Sequence, residues 1–298
     1  MSTDTKANVG EVGLVGLGLV GRALAHRLSL AGVAPLGFDH RDEANAAFVR
    51  DGDQVAASLA DLGRRCACVV LAVFDTAGVL DVVEGPGGLL EGGALRALID
   101  CSTGDPDALQ ALAGRLAARG VDFIEAPLSG SSQQIHDGEA TMLLGAAPAA
   151  LQRQAALLEV LAPQRIVVGG AGMGARAKLA TNLVLGLNRA ALAEGLVFAE
   201  RLGIAPDAFL ALVLATPARS DAALAKGALM VSDRFEEPQS RIHQHLKDVS
   251  LMLAQAATAG QRLPLSEAHA ALLKAAVAFG DGELDNAAIV RQIRRSSS

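Results

Sequence analysis

Val12-Gly13-Leu14-Val15-Gly16-Leu17-Gly18-Leu19-Val20-Gly21 decides the fold class of this chain. Val12–Val15 is a short apolar run of strand character, and three glycines follow it in a G-x-G-x-x-G pattern. From Leu19 to Leu30, Val20, Leu24 and Leu28 recur on one helical face, and Gly32 supplies the stop. A strand, a tight turn and an amphipathic helix in that order form a dinucleotide-binding βα unit. The glycines have separate tasks. Gly16 permits the turn, Gly18 lets backbone N–H groups approach a pyrophosphate, and Gly21 lets the helix pack closely on the strand. Leu19 and Val20 open the helix, whose N-terminus supplies about half a positive charge toward the phosphates.

Strand and helix patterns keep alternating beyond this unit. Strand-like runs stand at 34–39, 66–73, 98–101, 121–125, 141–144 and 166–168. The 66–73 run, CACVVLAV, is continuous and Val-rich, as in a strand buried on both faces. Pro148 suits the first turn of a helix ending near Leu161. Such alternation predicts a mostly parallel, doubly wound sheet. After Gly174 no strand pattern remains. A helical pattern runs over 175–201 and closes at Leu202-Gly203, and shorter helices are predicted at 206–214, 221–231, 243–259, 264–279 and 285–292. The predicted fold class is α/β: an N-terminal Rossmann-type doubly wound domain at 1–170, then an all-α C-terminal domain at 171–298 built around a long interdomain helix.

Composition narrows the function. Of 298 residues, 51% are apolar and 19% charged, which excludes global disorder, and the net charge of -6 argues against a nucleic-acid partner. The apolar stretches are broken by Gly, Arg or Asp before the roughly 20 residues of a membrane span, so no membrane association is expected. The polar start MSTDTKAN lacks a secretory pattern. Cys66, Cys68 and Cys101 have no zinc-ligand spacing and read as buried strand residues, in keeping with a reducing cytoplasm. Tyr and Trp are absent, so an acid or base must be Lys, His, Asp, Glu or Cys. His243 and His245 diverge on a helix and His136 follows a loop; no metal site is expected.

Asp39 closes the second strand run, where a carboxylate accepts hydrogen bonds from the adenine-ribose hydroxyls. That favours NAD. Arg41, two residues on, would pair with the extra phosphate of NADP, so NADP stays open.

Three segments fall where a reaction site belongs. Ser102-Thr103 follows the strand ending in Asp100-Cys101, at the carboxyl edge of the sheet. Glu125-Ala126-Pro127-Leu128-Ser129-Gly130-Ser131 follows another strand and leaves a hydroxyl beside exposed backbone N–H groups, which suits a substrate carboxylate. Lys178 and Asn182 stand one turn apart on one face near the start of the long helix, away from the Leu179, Leu183 and Leu187 stripe. A lysine near a helix N-terminus opposes the dipole, which hints at a task.

Together these segments resemble the β-hydroxyacid dehydrogenase family, of which 3-hydroxyisobutyrate dehydrogenase is the best-known member. The marks are Gly-Leu-Gly-Leu-Val-Gly at 16–21, Asp-Cys-Ser-Thr at 100–103, Ala-Pro-Leu-Ser-Gly at 126–130, Gly-x-Gly-x-x-x-Lys-x-x-x-Asn over 172–182, and Lys247-Asp248. They run in order over nearly the whole chain. The resemblance implies an NAD(P)-dependent enzyme that moves a hydride between its nicotinamide cofactor and a small 3-hydroxy acid or semialdehyde. It implies Lys178 as the acid/base, Asn182 as a substrate ligand, and Ser129 and Gly130 as the carboxylate site. Ser102 or Thr103 would lie at the nicotinamide end, Lys247 would reach the cofactor, and Val73 and Phe74 would line it where the family often has Leu-Pro. Ser131 replaces the second glycine of the family's Ser-Gly-Gly tip, which narrows the substrate pocket or adds a hydroxyl to it. A homodimer or homotetramer is also implied.

Related readings are a 6-phosphogluconate-dehydrogenase-like enzyme, an imine-reductase-like enzyme and a catalytically silent NAD-binding regulatory module. The first usually has Lys-x-x-His-Asn where this chain has Lys178-Leu-Ala-Thr181-Asn182, and the second usually replaces the lysine. Presence of Lys178, Asn182 and Ser129 argues against the third.

Overall fold

The computed structural model describes residues 11–296; the polar start at 1–8 and the last two serines lie outside that range. By its internal contacts the chain divides after Lys178 into two compact units.

The first unit is built on one sheet. Its strands are β1 (Val12–Val15), β2 (Leu36–Phe38), β3 (Gln54–Val55), β4 (Cys68–Leu71), β5 (Ala97–Asp100), β6 (Asp122–Glu125), β7 (Leu128–Ser129), β8 (Thr141–Gly145) and β9 (Gln164–Gly169). The spatial order is β3-β2-β1-β4-β5-β6-β8-β7, with β9 paired to β8. The first six are mutually parallel and wind outward in both directions from the β1–β4 junction. That reversal leaves a crevice at the carboxyl ends, where open α/β sheets bind ligands. β8 runs antiparallel to β6 and β7, so the sheet is mixed at one end.

Successive side chains of a strand point to opposite faces, and the core follows that rule. Val70, Ile99 and Ile124 join the layer that holds Leu24 and Leu28 of helix α1 (Leu19–Leu30). Val69, Leu98 and Phe123 join the opposite layer, with Leu62, Val82 and Leu112. The strand cores are shorter than their apolar runs. Cys66 and Cys101 are buried but lie just outside β4 and β5, and Cys68, within β4, is only partly buried. β3 and β7 are too short to show any periodicity and carry no strand signal of their own.

The second unit contains no strand among its described residues. It comprises most of the long helix α9 (Met173–Arg201) and helices α10 (Pro206–Ala215), α11 (Asp221–Ser232), α12 (Ile242–Thr258), α13 (Pro264–Ala278) and α14 (Ile289–Ser296) around a core that includes Leu196, Met230, Phe235, Leu273 and Val290. The predicted helix at 285–292 is in fact a 3-10 turn, Asn286–Ala288, running into α14. By length and composition α9 is long and apolar enough to cross a membrane, with a mean hydropathy of 1.2 over 18 residues. Gly186 and Arg189 interrupt its apolar sequence but not the helix, and the core helix of a protein outside any membrane meets the same measure. In that window 44% is buried against protein.

Candidate active site

The glycine turn is built as its pattern requires. Gly16 adopts φ +92, and a Cβ there would lie 2.3 Å from the carbonyl oxygen of Ala72. At Gly21 a Cβ would lie 1.8 Å from the Gly16 carbonyl oxygen, so α1 packs directly on the turn. Gly18 is different: the nearest atom to a Cβ there would be an Arg41 guanidinium nitrogen at 4.0 Å, and the turn is open on that side. Gly18 also forms the N-cap of α1 without a side-chain cap, so Leu19 and Val20 present the helix N-terminus to that opening. These residues fit a pyrophosphate, which would take the backbone N–H groups and the positive end of the helix dipole.

Asp39 and Arg41 flank the opening. Asp39 follows β2 and is buried; its Oδ2 accepts the Leu17 N–H at 2.8 Å, and its Oδ1 accepts the Arg41 N–H at 2.9 Å. The Arg41 guanidinium donates to both oxygens, at 3.0 and 3.1 Å. Burial pushes the Asp39 carboxyl up, but these hydrogen bonds from Arg41 and Leu17 outweigh it and hold the carboxyl below its ordinary range. Asn45 clamps the Asp39 backbone, accepting its N–H at 2.9 Å and donating to its carbonyl at 2.7 Å. The carboxylate is thus fixed in place, while the Arg41 side chain stays largely exposed.

The carboxyl ends of β4 and β5 are tied together. The Val73 N–H donates to Ser102 Oγ at 3.1 Å, and the Ser102 N–H donates to Asp100 Oδ1 at 2.9 Å. Ser102 is buried, Thr103 partly so, and Phe74 projects with 45% exposure. One sheet edge therefore carries Gly16–Gly21, Asp39, Arg41, Val73, Phe74, Ser102 and Thr103.

Lys178 lies near the start of α9 and is buried, at 7% exposure. Its Nζ donates to the carbonyl of Leu128 at 2.6 Å. Leu128-Ser129 forms β7, so the ammonium is held by the residue just before Ser129-Gly130. Ser131 has a second duty. It N-caps helix α6 (Ser132–Asp137) in a capping box, its Oγ accepting the Gln134 N–H at 3.2 Å and its own N–H donating to Gln134 Oε1 at 2.9 Å. The hydroxyl that replaces the family's glycine thereby accepts one hydrogen bond and keeps its own hydrogen to donate.

In the second unit Asn182 and Lys247 meet through Asp248, which the sequence marks only as the neighbour of Lys247, with no role of its own. Asn182 Nδ2 donates to Asp248 Oδ2 at 3.1 Å, and Lys247 Nζ lies 3.1 Å from Asp248 Oδ1. Asp248 and Asn182 are both buried. Glu125, at the end of β6, opens the predicted 125–131 segment with no role assigned to it: it is 1% exposed, and burial pushes its carboxyl up to about 7. Its only sequence signal is an acid closing the apolar run of a buried strand.

The histidines singled out in the sequence have other neighbours. His136 stacks on His26 with ring centroids 3.7 Å apart, His243 is exposed, and His245 is buried 5.1 Å from His269. Among the described residues no group of three or more His, Cys, Asp or Glu could hold a metal ion.

Comparison with known proteins agrees with this geometry. Residues 11–170 match the family described as the NAD binding domain of 6-phosphogluconate dehydrogenase. Residues 172–293 match the family described as NAD-binding of NADP-dependent 3-hydroxyisobutyrate dehydrogenase. The chain is 28% identical to 2-(hydroxymethyl)glutarate dehydrogenase of Eubacterium barkeri over 94% of each chain. It is 28% identical to glyoxylate/succinic semialdehyde reductase 1 of Arabidopsis thaliana, covering 96% of this chain and 99% of that one. A solved 3-hydroxyisobutyrate dehydrogenase from Salmonella typhimurium superposes with a TM-score of 0.85 at 26% identity, over 95% of this chain and 99% of that one. With the glycine turn, the doubly wound sheet and the helical second unit all in place, this chain belongs to the 3-hydroxyisobutyrate-dehydrogenase-like β-hydroxyacid dehydrogenases, a family of NAD(P)-dependent oxidoreductases.

Proposed function

We propose that this enzyme interconverts a short 3-hydroxy acid and its semialdehyde, with Lys178 as the proton-transfer group. Residues 1–170 would serve as the cofactor domain and 171–298 as the substrate and oligomerisation domain. The observation that carries the reading is the buried Lys178 ammonium on the Leu128 carbonyl, one residue before Ser129-Gly130. Two neutral requirements meet there. A substrate carboxylate needs N–H and hydroxyl donors, which Ser129 and Gly130 supply. The carbinol oxygen needs a nearby base when it is oxidised and a nearby acid when the aldehyde is reduced.

A bound nicotinamide cofactor supplies the hydride acceptor or donor. Gly16, Gly18, Leu19, Val20 and Gly21 would hold its pyrophosphate, Asp39 and Arg41 its adenosine ribose, and Val73, Phe74, Ser102 and Thr103 its nicotinamide half, with Lys247 a further contact. In the oxidative direction the Lys178 amine accepts the hydroxyl proton; in the reductive direction its ammonium polarises the aldehyde oxygen and then gives the proton up. Asn182 orients the substrate, and Ser131 trims the carboxylate pocket, its hydroxyl hydrogen being the group suited to a carboxylate. NAD is the preferred cofactor because Asp39 would repel a 2′-phosphate, although Arg41 offsets part of that repulsion. A cytoplasmic homodimer or homotetramer completes the reading.

The test is a panel of short 3-hydroxy acids and semialdehydes assayed with both cofactors, for the wild type and Lys178→Ala. Loss of turnover with cofactor binding intact is the expected result for the variant. Turnover by Lys178→Ala near the wild-type rate would refute the assignment, and cofactor binding with no turnover on any of the panel would favour the regulatory module.

A further inference from the structure

The start of α9 is capped from outside the helix. The first N–H groups of any helix lack partners within it, and a local Ser, Thr, Asp or Asn usually takes one of them. Here the residue before the helix is Gly172, which has no side chain to cap with. Glu125 reaches in from the end of β6 instead. Its Oε2 accepts the Gly174 N–H at 2.9 Å and, more weakly, the Ala175 N–H at 3.4 Å. The seat is tight. A Cβ at Gly174 would lie 2.8 Å from the Glu125 Cβ, and a Cβ at Gly145 would lie 2.4 Å from the Gly174 nitrogen and 2.7 Å from Glu125 Oε2.

Three residues beyond Glu125, the Leu128 carbonyl accepts the Lys178 ammonium. Gly174 and Lys178 stand one turn apart on the same face of α9. The segment from Glu125 to Leu128 thus grips one helix face at two consecutive levels, once through a carboxylate and once through a carbonyl. A shift of α9 along its axis would break both contacts together.

We propose that Glu125 is a positioning residue for Lys178: its carboxylate fixes the height of the first turn of α9 and so delivers the Lys178 nitrogen to the Leu128 carbonyl beside Ser129-Gly130. Glu125 touches neither substrate nor cofactor in this scheme. The inference rests on the reading of Lys178 as the acid/base. It also accounts for an otherwise costly feature, a buried carboxylate whose Oε1 has no hydrogen-bond partner among the described residues and whose strand neighbour across the register is another acid, Asp100. Burial first, then the Asp100 charge, opposes ionisation of Glu125, and the N–H groups of residues 172, 174 and 175 oppose those effects. Position 172 itself cannot supply the cap, because Gly172 adopts φ +87 and a Cβ there would lie 2.5 Å from an Arg176 guanidinium nitrogen.

The experiment compares Glu125→Asp and Glu125→Gln with the wild type and with Lys178→Ala, reading kcat, KM and cofactor Kd for each. Aspartate is one methylene shorter, so the acceptor withdraws by about an ångström, and displacement on that scale costs roughly 100-fold in kcat. Glutamine keeps the length and an acceptor oxygen, so Glu125→Gln should hold kcat within roughly threefold while both variants keep cofactor Kd and KM near wild type. A Glu125→Asp enzyme with wild-type kcat, or a Glu125→Gln enzyme as slow as Glu125→Asp, overturns the proposal. Should Glu125→Asp fail to bind cofactor through misfolding, Glu125→Gln in a Lys178-competent enzyme still decides it, since a large kcat loss there contradicts the role of the acceptor oxygen. Activity in Lys178→Ala would instead overturn the acid/base reading itself, whatever the Glu125 variants do.

Discussion

Asn182 and Asp248 share a hydrogen bond of 3.1 Å between two buried side chains, and the other Asp248 oxygen faces Lys247 at 3.1 Å. Asp248 is thus the common anchor for a residue proposed to hold substrate and one proposed to reach the cofactor. Removing it takes away the Asn182 acceptor and the carboxylate that Lys247 faces. Asp248→Ala should raise KM more than it lowers thermal stability. In a double-mutant cycle with Asn182→Ala, the two changes should couple by about 1–3 kcal/mol in kcat/KM, as expected for a buried hydrogen bond to a charged group. Additive effects would show that the two residues act independently.

On the proposed reading, Asp39 and Arg41 set the cofactor preference as a pair. With Asp39 accepting from Leu17 and Arg41, its charge is largely balanced, and the exposed Arg41 is the group that an extra phosphate would meet. Arg41→Ala should weaken NADP binding and leave NAD binding nearly unchanged. Asp39→Asn should strengthen NADP relative to NAD by about tenfold, the scale of one hydrogen bond to a charged group. Cofactor titration by fluorescence gives both ratios. If Arg41→Ala weakens NAD as much as NADP, the arginine acts on the ribose or phosphates common to both.

Local signals made the first βα unit legible to the residue. Val12–Val15 and Leu19–Leu30 are set by an apolar run, a glycine turn and a helical period, none of which depends on distant contacts. Lys178 and Asn182 are singled out by their spacing and by family resemblance, and the structure buries both. β3 and β7 escaped notice because two-residue strands exist only through their neighbours. The role of Ser131 was readable in principle, since Ser131-x-x-Gln134 is a capping-box pattern. Glu125 and Asp248 act across elements, on helix α9 from a strand and from α12, and no spacing rule within a segment reports such a contact.

Glu125 should also mark the pH dependence of stability. Its native carboxyl is raised to about 7 from an ordinary 4.5, chiefly by burial. Below pH 4.5 both folded and unfolded forms are protonated and the group costs nothing. Between 4.5 and 7 the unfolded chain binds fewer protons at this site than the native one, so stability falls as pH rises; above 7 the loss is constant. At 1.36 kcal/mol per unit the full loss is at most about 3 kcal/mol. Denaturant unfolding of Glu125→Gln and the wild type should therefore diverge between pH 4.5 and 7, in favour of the glutamine variant, and run parallel above. A difference that stays flat from pH 4 to 8 would mean the carboxyl titrates normally.

The second unit holds a buried ion pair whose contribution can be separated from its charge. Lys226 Nζ donates to Asp285 Oδ2 at 2.8 Å, with both side chains buried. The same oxygen accepts the Gln239 N–H at 2.9 Å, and Oδ1 accepts the Ala287 N–H at 3.0 Å. Asp285 therefore pins two backbone segments as well as the lysine. Its charge also eases the burial of Arg189, whose guanidinium desolvation lowers to about 10. Asp285→Ala strips two cations of their neutralising charge and should cost about 3–5 kcal/mol in unfolding free energy. The double variant Lys226→Met/Asp285→Ala removes one of those cations and should recover part of the loss, while the backbone hydrogen bonds that Asp285 accepted from residues 239 and 287 stay lost and keep it below wild type. Lys226→Met alone leaves the carboxylate with its backbone donors and Arg189, so it should be the mildest of the three. If instead Lys226→Met proves as damaging as Asp285→Ala, the lysine rather than the backbone contacts is what Asp285 is there to hold.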